Sequence, residues 1–286
     1  MSYLEEILNS GQVPEKEIVQ HECKIHGMTD HYCFGASPKF CRQCESENRA
    51  KAKQDNLDKI YDKYKAIMAK CGINADGKKF DEWQFDDKQA DRQEKIVKTL
   101  SGIADKFVIR GVDGRNSKLP NIMLVGGTGS GKTMLANALA KNIYRRAVQH
   151  DVKREVDHTM SGTYCAKLIT SRDITEQAKA TWGDYQKNEN QLIEDLASFE
   201  LLIIDDLGDN DTASNEEMAA NDRGRIAQII AKRYQKKPTI ITTNLTPEQV
   251  VAHLGDRAWD RLQENLIIIK CDWASYRQSV AKVAYL

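Results

Sequence analysis

The sequence predicts an α/β fold in which a five-stranded parallel sheet is flanked by helices, preceded by a small metal-binding module. Three observations predict it. Five short apolar runs alternate with helical patterns, as they must when helices cover both faces of a parallel sheet. The first run leads into Gly126-Gly127-Thr128-Gly129-Ser130-Gly131-Lys132-Thr133, a complete G-x-x-x-x-G-K-[ST] phosphate-loop pattern. Four of the seven cysteines, Cys23, Cys33, Cys41 and Cys44, crowd into one short N-terminal stretch.

Residues 1–45 hold this cluster. Cys23-x-x-His26 and Cys41-x-x-Cys44 are two pairs whose spacing suits tetrahedral Zn²⁺, each gripping the ion from a tight turn. His21, His31 and Cys33 are further candidates, and Cys33 is able to replace His26. Zinc would supply folding energy that so small a module cannot draw from a core. An odd cysteine count in a chain expected to be cytoplasmic argues against a disulfide framework.

Residues 46–72 read as a charged amphipathic linker helix. From Glu45 to Lys70 there is neither Gly nor Pro, and Leu57, Ile60, Tyr61, Tyr64, Ile67 and Met68 step by three and four along one stripe. Cys71-Gly72 ends it. Residues 73–286 carry the strand and helix alternation. Strands are expected at Ile122–Val125, Tyr164–Ile169, Leu201–Ile204, Thr239–Thr243 and Leu266–Lys270. Helices are expected at Lys132–Ala147, Glu216–Arg233 and Pro247–His253.

The phosphate loop has a clear physical basis. Its glycines let successive backbone N–H groups curl into an anion-binding nest, from Gly127 through Thr128, Gly129, Ser130 and Gly131 to Met134. Lys132 reaches the β- and γ-phosphates of ATP, Thr133 offers its hydroxyl to Mg²⁺, and the helix that follows points its positive end at the phosphates. The third strand ends in Asp205-Asp206. Asp205 would hold Mg²⁺, and Asp206 would orient or deprotonate the attacking water. Asn244, at the tip of the fourth strand, either hydrogen-bonds the γ-phosphate or lytic water or simply forms the turn before Leu245-Thr246-Pro247. Arg257 and Arg261 lie four apart, hence on one helical face. Taken alone they read as surface arginines balanced by Asp256 and Asp260.

Lys and Arg together number 42, as do Asp and Glu, so the net charge is zero. Any nucleic-acid contact must then come from local patches. No apolar run approaches the length of a membrane helix, and the opening MSYLEEILNS is acidic where a secretory signal is basic. These features predict a cytoplasmic protein.

Four segments, LLIIDDLG at 201–208, RIAQIIAKRYQKKPTIITTNL at 225–245, HLGDRAWDRL at 253–262 and CDWASYRQSV at 271–280, resemble the DnaC-type replicative helicase loaders. These belong to the DnaA/DnaC/IstB branch of AAA+ ATPases. The resemblance implies a P-loop AAA+ core without a C-terminal helical lid. It implies that Asn244 is the sensor-1 residue and that Arg261, with Arg257 as competitor, is an arginine finger reaching a neighbouring subunit. Arg277 would be the sensor-2 arginine that contacts nucleotide. The element Asp173–Leu196 would meet single-stranded DNA or neighbours, with Lys179, Trp182, Tyr185 and Lys187 offering cations and stacking surfaces. N-terminal zinc modules in some such loaders show C-x-x-H-G before C-x-x-C, as Cys23–Gly27 and Cys41–Cys44 do here, and dock on the helicase. One departure stands out. Many family members have Asp-Glu where this chain has Asp205-Asp206, which shortens the base and would slow hydrolysis.

The function expected is therefore an ATP-dependent loader of a hexameric replicative DNA helicase onto single-stranded DNA, self-associating through its ATPase domains. An IstB-like ATPase helper of DNA transposition shares the same core. An ATP-gated adaptor that does not hydrolyse is the expectation from another class.

Overall fold

The structure is a computed structural model that describes residues 16–34, 40–85, 88–107, 119–154, 166–180, 188–208 and 216–276. The chain divides into two compact units, Met1–Asp62 and Lys63–Leu286. The division falls inside a helix, between the boundaries expected after residues 45 and 72.

In the first unit, β1 (Lys16–Cys23) and β2 (Gly27–Phe34) form an antiparallel hairpin. The two-residue β3 (Phe40–Cys41) adds to β2 through His31↔Cys41 and Tyr32↔Phe40. The chain then enters α1 (Arg42–Lys70). Among the described residues of this unit Ile18, Ile25, Met28 and Phe40 are exposed, so these side chains give the hairpin little apolar support. On the predicted stripe of α1, Ile60 and Tyr64 are buried, and Leu57, Ile67 and Met68 are half-buried. Tyr61 departs from the expectation and is 50% exposed, because its position on the helical wheel falls at the flank of the stripe.

The second unit is the expected sheet with its helices. After a 3₁₀ turn (Phe80–Glu82) come α2 (Ala90–Lys106), β4 (Asn121–Val125), α3 (Lys132–Arg154), β5 (Ala166–Thr170), α4 (Ser171–Lys179), α5 (Glu189–Ser198) and β6 (Leu201–Leu207). They are followed by α6 (Glu216–Arg233), β7 (Thr239–Thr243), α7 (Pro247–Leu254), α8 (Asp256–Gln263) and β8 (Leu266–Lys270). The strand order is β5-β6-β7-β4-β8, and every neighbouring pair is parallel. This is the P-loop sheet that the sequence predicts. The described part of β5 begins at Ala166; Tyr164 and Cys165, where the expected strand begins, lie outside the described residues, as does everything after Tyr276, where the expectation of a missing lid falls.

The strands β6 and β7 are buried along almost their whole length, which explains their continuous apolar runs. One core cluster joins Met123, Ile204 and Ile241 of the sheet to Ile226, Ile229 and Ile230 of α6 and to Leu254 and Leu262 of the last helices. Local signals start the helices. Thr170 caps α4 by accepting from the Asp173 N–H at 3.0 Å. Thr246 and Gln249 form a reciprocal capping box at the start of α7, with Pro247 in the first turn.

One buried charge ties α6 to the turns around it. Arg233, only 1% exposed, donates to Thr239 Oγ1 at 3.0 Å and to the carbonyls of Ala197 at 3.0 Å, Phe199 at 2.6 Å, Glu200 and Pro238. Burial pulls its pKa down to about 9, so the guanidinium is still charged at neutral pH. Its fork of donors satisfies carbonyls at the end of α5 and before β7. Arg233→Met is expected to destabilise the second unit by about 3–5 kcal/mol, because the carbonyls are left buried and unpaired; urea denaturation followed by circular dichroism measures it.

Candidate functional site

The parallel sheet delivers the carboxyl ends of β4, β6 and β7 to one edge, and the phosphate-loop residues lie there between β4 and α3. Gly129 and Gly131 take φ of 83° and 84°, a region nearly closed to residues with a Cβ. Added Cβ atoms would also collide, at Gly129 with Ser275 Oγ at 2.0 Å and at Gly131 with Trp83 Cη2 at 2.8 Å. The loop's geometry thus demands glycine twice over at both positions.

Lys132 is buried at 5% exposure. Its ammonium donates to the carbonyls of Gly126 at 2.8 Å and Gly127 at 2.9 Å and to Asn244 Oδ1 at 2.8 Å. The Thr133 hydroxyl donates to Asp205 Oδ1 at 3.1 Å. Burial pushes the Asp205 carboxyl above its ordinary range, the Thr242 hydrogen bond opposes that shift, and the charge of Asp206 adds to it. Loop lysine, loop threonine, acidic strand end and strand-tip asparagine are therefore brought into one hydrogen-bonded group. The Thr133 hydroxyl and the Asp205 carboxylate are hard oxygen donors of the kind that hold Mg²⁺ beside phosphates.

Arg257 and Arg261 sit on α8, the first exposed and the second half-buried. They line a groove with Ala227, Gln228 and Ala231 of α6. Arg277 lies outside the described residues, as do Trp182, Tyr185 and Lys187. Lys179 is the last residue of α4 and is half-buried.

Sequence reasoning missed the strap that braces the loop from outside. The Cys271 N–H pairs with the Val125 carbonyl at 2.6 Å, and the Tyr276 N–H with the Gly129 carbonyl at 3.1 Å. Trp273 Nε1 donates to the Ser130 carbonyl at 2.9 Å, and Trp83 stacks edge-on against Trp273 with ring centres 6.3 Å apart. These bonds engage the carbonyls of Val125, Gly129 and Ser130, and so tie the loop to the segment after β8. The CDWASY stretch carried the signal for Trp273 and Tyr276 through family resemblance; nothing in the pattern around Trp83 did so.

The predicted metal ligands also converge. Cys23 ends β1, His26 lies in the β1–β2 turn, Cys41 comes from β3 and Cys44 from the first turn of α1, with their ligand atoms all within 4.8 Å of one another. The His26 Nδ1 lies 3.3 Å from Cys44 Sγ and 3.7 Å from the sulfurs of Cys23 and Cys41. Cys23 Sγ and Cys44 Sγ are 3.5 Å apart. A tetrahedral zinc with bonds of about 2.3 Å to sulfur and 2.0 Å to nitrogen separates its ligands by roughly 3.5–3.8 Å. The donor set and its spacing fit zinc. Cys33, the alternative to His26, is not in the group. Backbone N–H groups of Ile25 and His26 hold the Cys23 thiol down near a pKa of about 6, while Cys44, facing Cys23, is pushed up to about 12. Hydrogen bonds to Cys23 and Cys41 raise His26 to about 9. Glu47, missed from the sequence, accepts from the far nitrogen of His26 at 3.0 Å, the carboxylate–histidine arrangement that fixes a ligating ring.

A phosphate loop following β4, beside an acidic strand end and a strand-tip amide, defines a nucleotide-binding protein of the P-loop class. Residues 53–284 match the family described as IstB-like ATP binding protein, and the chain belongs to that family. It is 27% identical over 172 residues to the replicative helicase loader DnaC of Escherichia coli strain K12, covering 59% of this chain and 61% of that one. The chain thus matches about three-fifths of the length of this relative. Among solved structures, the DnaC helicase loader superposes with a TM-score of 0.49 at 20% identity, covering 67% of this chain and 95% of that chain. DnaI gives a TM-score of 0.49 at 15% identity, covering 70% and 90%. No helix among the described residues is long and apolar enough to cross a membrane.

Purified protein is expected to carry about one zinc per chain and to release it as pH falls, since protons compete for the thiolates. Elemental analysis of wild type and Cys41→Ser at neutral and acidic pH measures this; full-length protein free of zinc and fully folded would contradict it.

Proposed function

We propose that this chain is an ATP-dependent loader that places the hexameric replicative DNA helicase on single-stranded DNA at the initiation of replication. The observation that carries the reading is its 27% identity over 172 residues to the Escherichia coli replicative helicase loader DnaC, taken together with the phosphate-loop site. The family match supports ATP as the nucleotide.

In this reading the backbone N–H groups from Gly127 to Met134 receive the phosphates, where the start of α3 adds its positive end. Lys132 exchanges its carbonyl and Asn244 partners for phosphate oxygens. Thr133 and Asp205 would hold Mg²⁺, which would offset phosphate charge. Asp206 orients the attacking water, and Asn244, released from Lys132, turns to the γ-phosphate or that water. Arg261, or Arg257 in its place, enters the site of a neighbouring copy and stabilises charge on the transferring group. Arg277 contacts the nucleotide of its own chain. The shorter Asp206 carboxylate makes hydrolysis slow, which suits a switch whose bound state must last.

The Cys23, His26, Cys41 and Cys44 zinc module docks on the helicase, and the element Asp173–Leu196 meets single-stranded DNA. ATP then acts by selection: its γ-phosphate favours one arrangement of neighbouring subunits, and loss of that phosphate removes the preference. A second reading, an ATPase helper of DNA transposition, is favoured by the family match over residues 53–284.

Size-exclusion chromatography with the host's hexameric replicative helicase and ATP tests the choice. Wild-type protein is expected to co-elute with the helicase, Cys41→Ser to lose the complex, and Lys132→Ala to bind nucleotide at least about 100-fold more weakly. Absence of co-elution by wild type, with ATP-dependent assembly on duplex DNA instead, would move the assignment to the transposition helper.

A further inference from the structure

The pairing of β6 with β7 runs Ile204↔Ile241 and then resumes at Leu207↔Thr243. Two residues of β6, Asp205 and Asp206, therefore face one residue of β7, Thr242. This is a β-bulge, a feature that re-aims groups at active sites. Asp206 takes a φ of 53° within it, a left-handed backbone that aspartate tolerates better than most residues but at a cost.

In a regular ladder neighbouring side chains leave on opposite faces, and a single β7 side chain would serve only one of the two aspartates. Across the bulge the Thr242 hydroxyl serves both. It donates to Asp205 Oδ1 and accepts the Asp206 backbone N–H at 2.9 Å. The Ser171 hydroxyl closes the other side by donating to the Asp206 carbonyl at 2.7 Å. Thr242 is 0% exposed, so water does not stand ready to take over either bond.

We propose that Thr242 is a positioning residue of the nucleotide site, its hydroxyl locking the Asp205 carboxylate and the Asp206 backbone in the geometry that receives Mg²⁺ and the attacking water. The proposal rests on the ATPase reading above. A hydroxyl has one proton and two lone pairs, and here the proton is committed to Asp205 and a lone pair to the Asp206 N–H. Valine has the same shape and neither capacity. Among the described residues it would leave Asp205 Oδ1 with the bond from Thr133 alone, at 3.1 Å, and would release the strained residue beside it. Serine keeps the hydroxyl and loses only a methyl group.

The test compares wild type, Thr242→Val and Thr242→Ser in ATP affinity with Mg²⁺, ATP affinity in EDTA, turnover and melting temperature. Thr242→Val is expected to bind MgATP about ten-fold more weakly while its affinity in EDTA stays within about two-fold, and to lose about 100-fold in turnover. Thr242→Ser is expected to restore both. Wild-type behaviour of Thr242→Val would overturn the positioning role alone. So would equal losses in the Val and Ser variants, with and without Mg²⁺, alongside a matching fall in melting temperature, since that pattern marks packing. Folded wild-type protein that does not bind MgATP would overturn the nucleotide reading itself, and this proposal with it.

Discussion

The register of three parallel strands governs the chemistry of this chain. β7 lies between β4 and β6, and pairing Val125↔Thr243 brings its tip level with the start of the phosphate loop. Asn244 can then accept from the Lys132 ammonium, and Thr242 can reach Asp205. A shift of one residue would send each of these side chains to the opposite face of the sheet. That register is held by an apolar core, so the precision of a polar site rests on the packing of Ile204, Ile241 and their neighbours.

Much of this was legible in the sequence, for a physical reason. A strand buried on both faces must be continuously apolar, and β6 and β7 declare themselves that way, while β8, equally apolar, is a partly exposed edge strand. A loop that needs φ near +80° at two places must put glycine there, which is why the pattern Gly126–Thr133 is so specific. Metal ligands announce themselves by spacing, and the pairs around Cys23 and Cys41 do converge. Other features depend on contacts distant in sequence and leave no local mark. Trp83 reaches the loop from an irregular segment, and Glu47 meets His26 from a helix whose other charges face solvent. The bulge at Asp205-Asp206 looks like an ordinary strand end until β7 is laid beside it. Tyr61 was assigned to the buried stripe of α1 because aromatic residues at helical spacing usually belong there; here it sits at the stripe's edge. The strands β1 and β2 escaped notice because they are polar, their cohesion coming from ladder bonds and the ligand cluster where a core would otherwise be required.

The two units divide the tasks of the proposed loader. Among its described residues the first presents Ile25 and Met28 openly beside the ligand cluster, a feature suited to a docking module. The second is an α/β body that gathers the phosphate loop, Asp205 and Asn244 at one edge of its sheet. Lys132 is poised within that edge. Its charge is satisfied by loop carbonyls and Asn244 before any phosphate arrives, so binding exchanges partners for it with no desolvation of a free ammonium. In the proposed reading the same exchange would free Asn244 at the tip of β7, two residues before Thr246, which caps α7.

The most direct measurement of the central claim is transfer of the cognate replicative helicase onto a closed circle of single-stranded DNA, which has no end to thread. The account predicts that helicase becomes bound to the circle only when this protein and ATP are both present. Equal helicase loading with and without the protein, or loading unaffected by removing ATP, would contradict it.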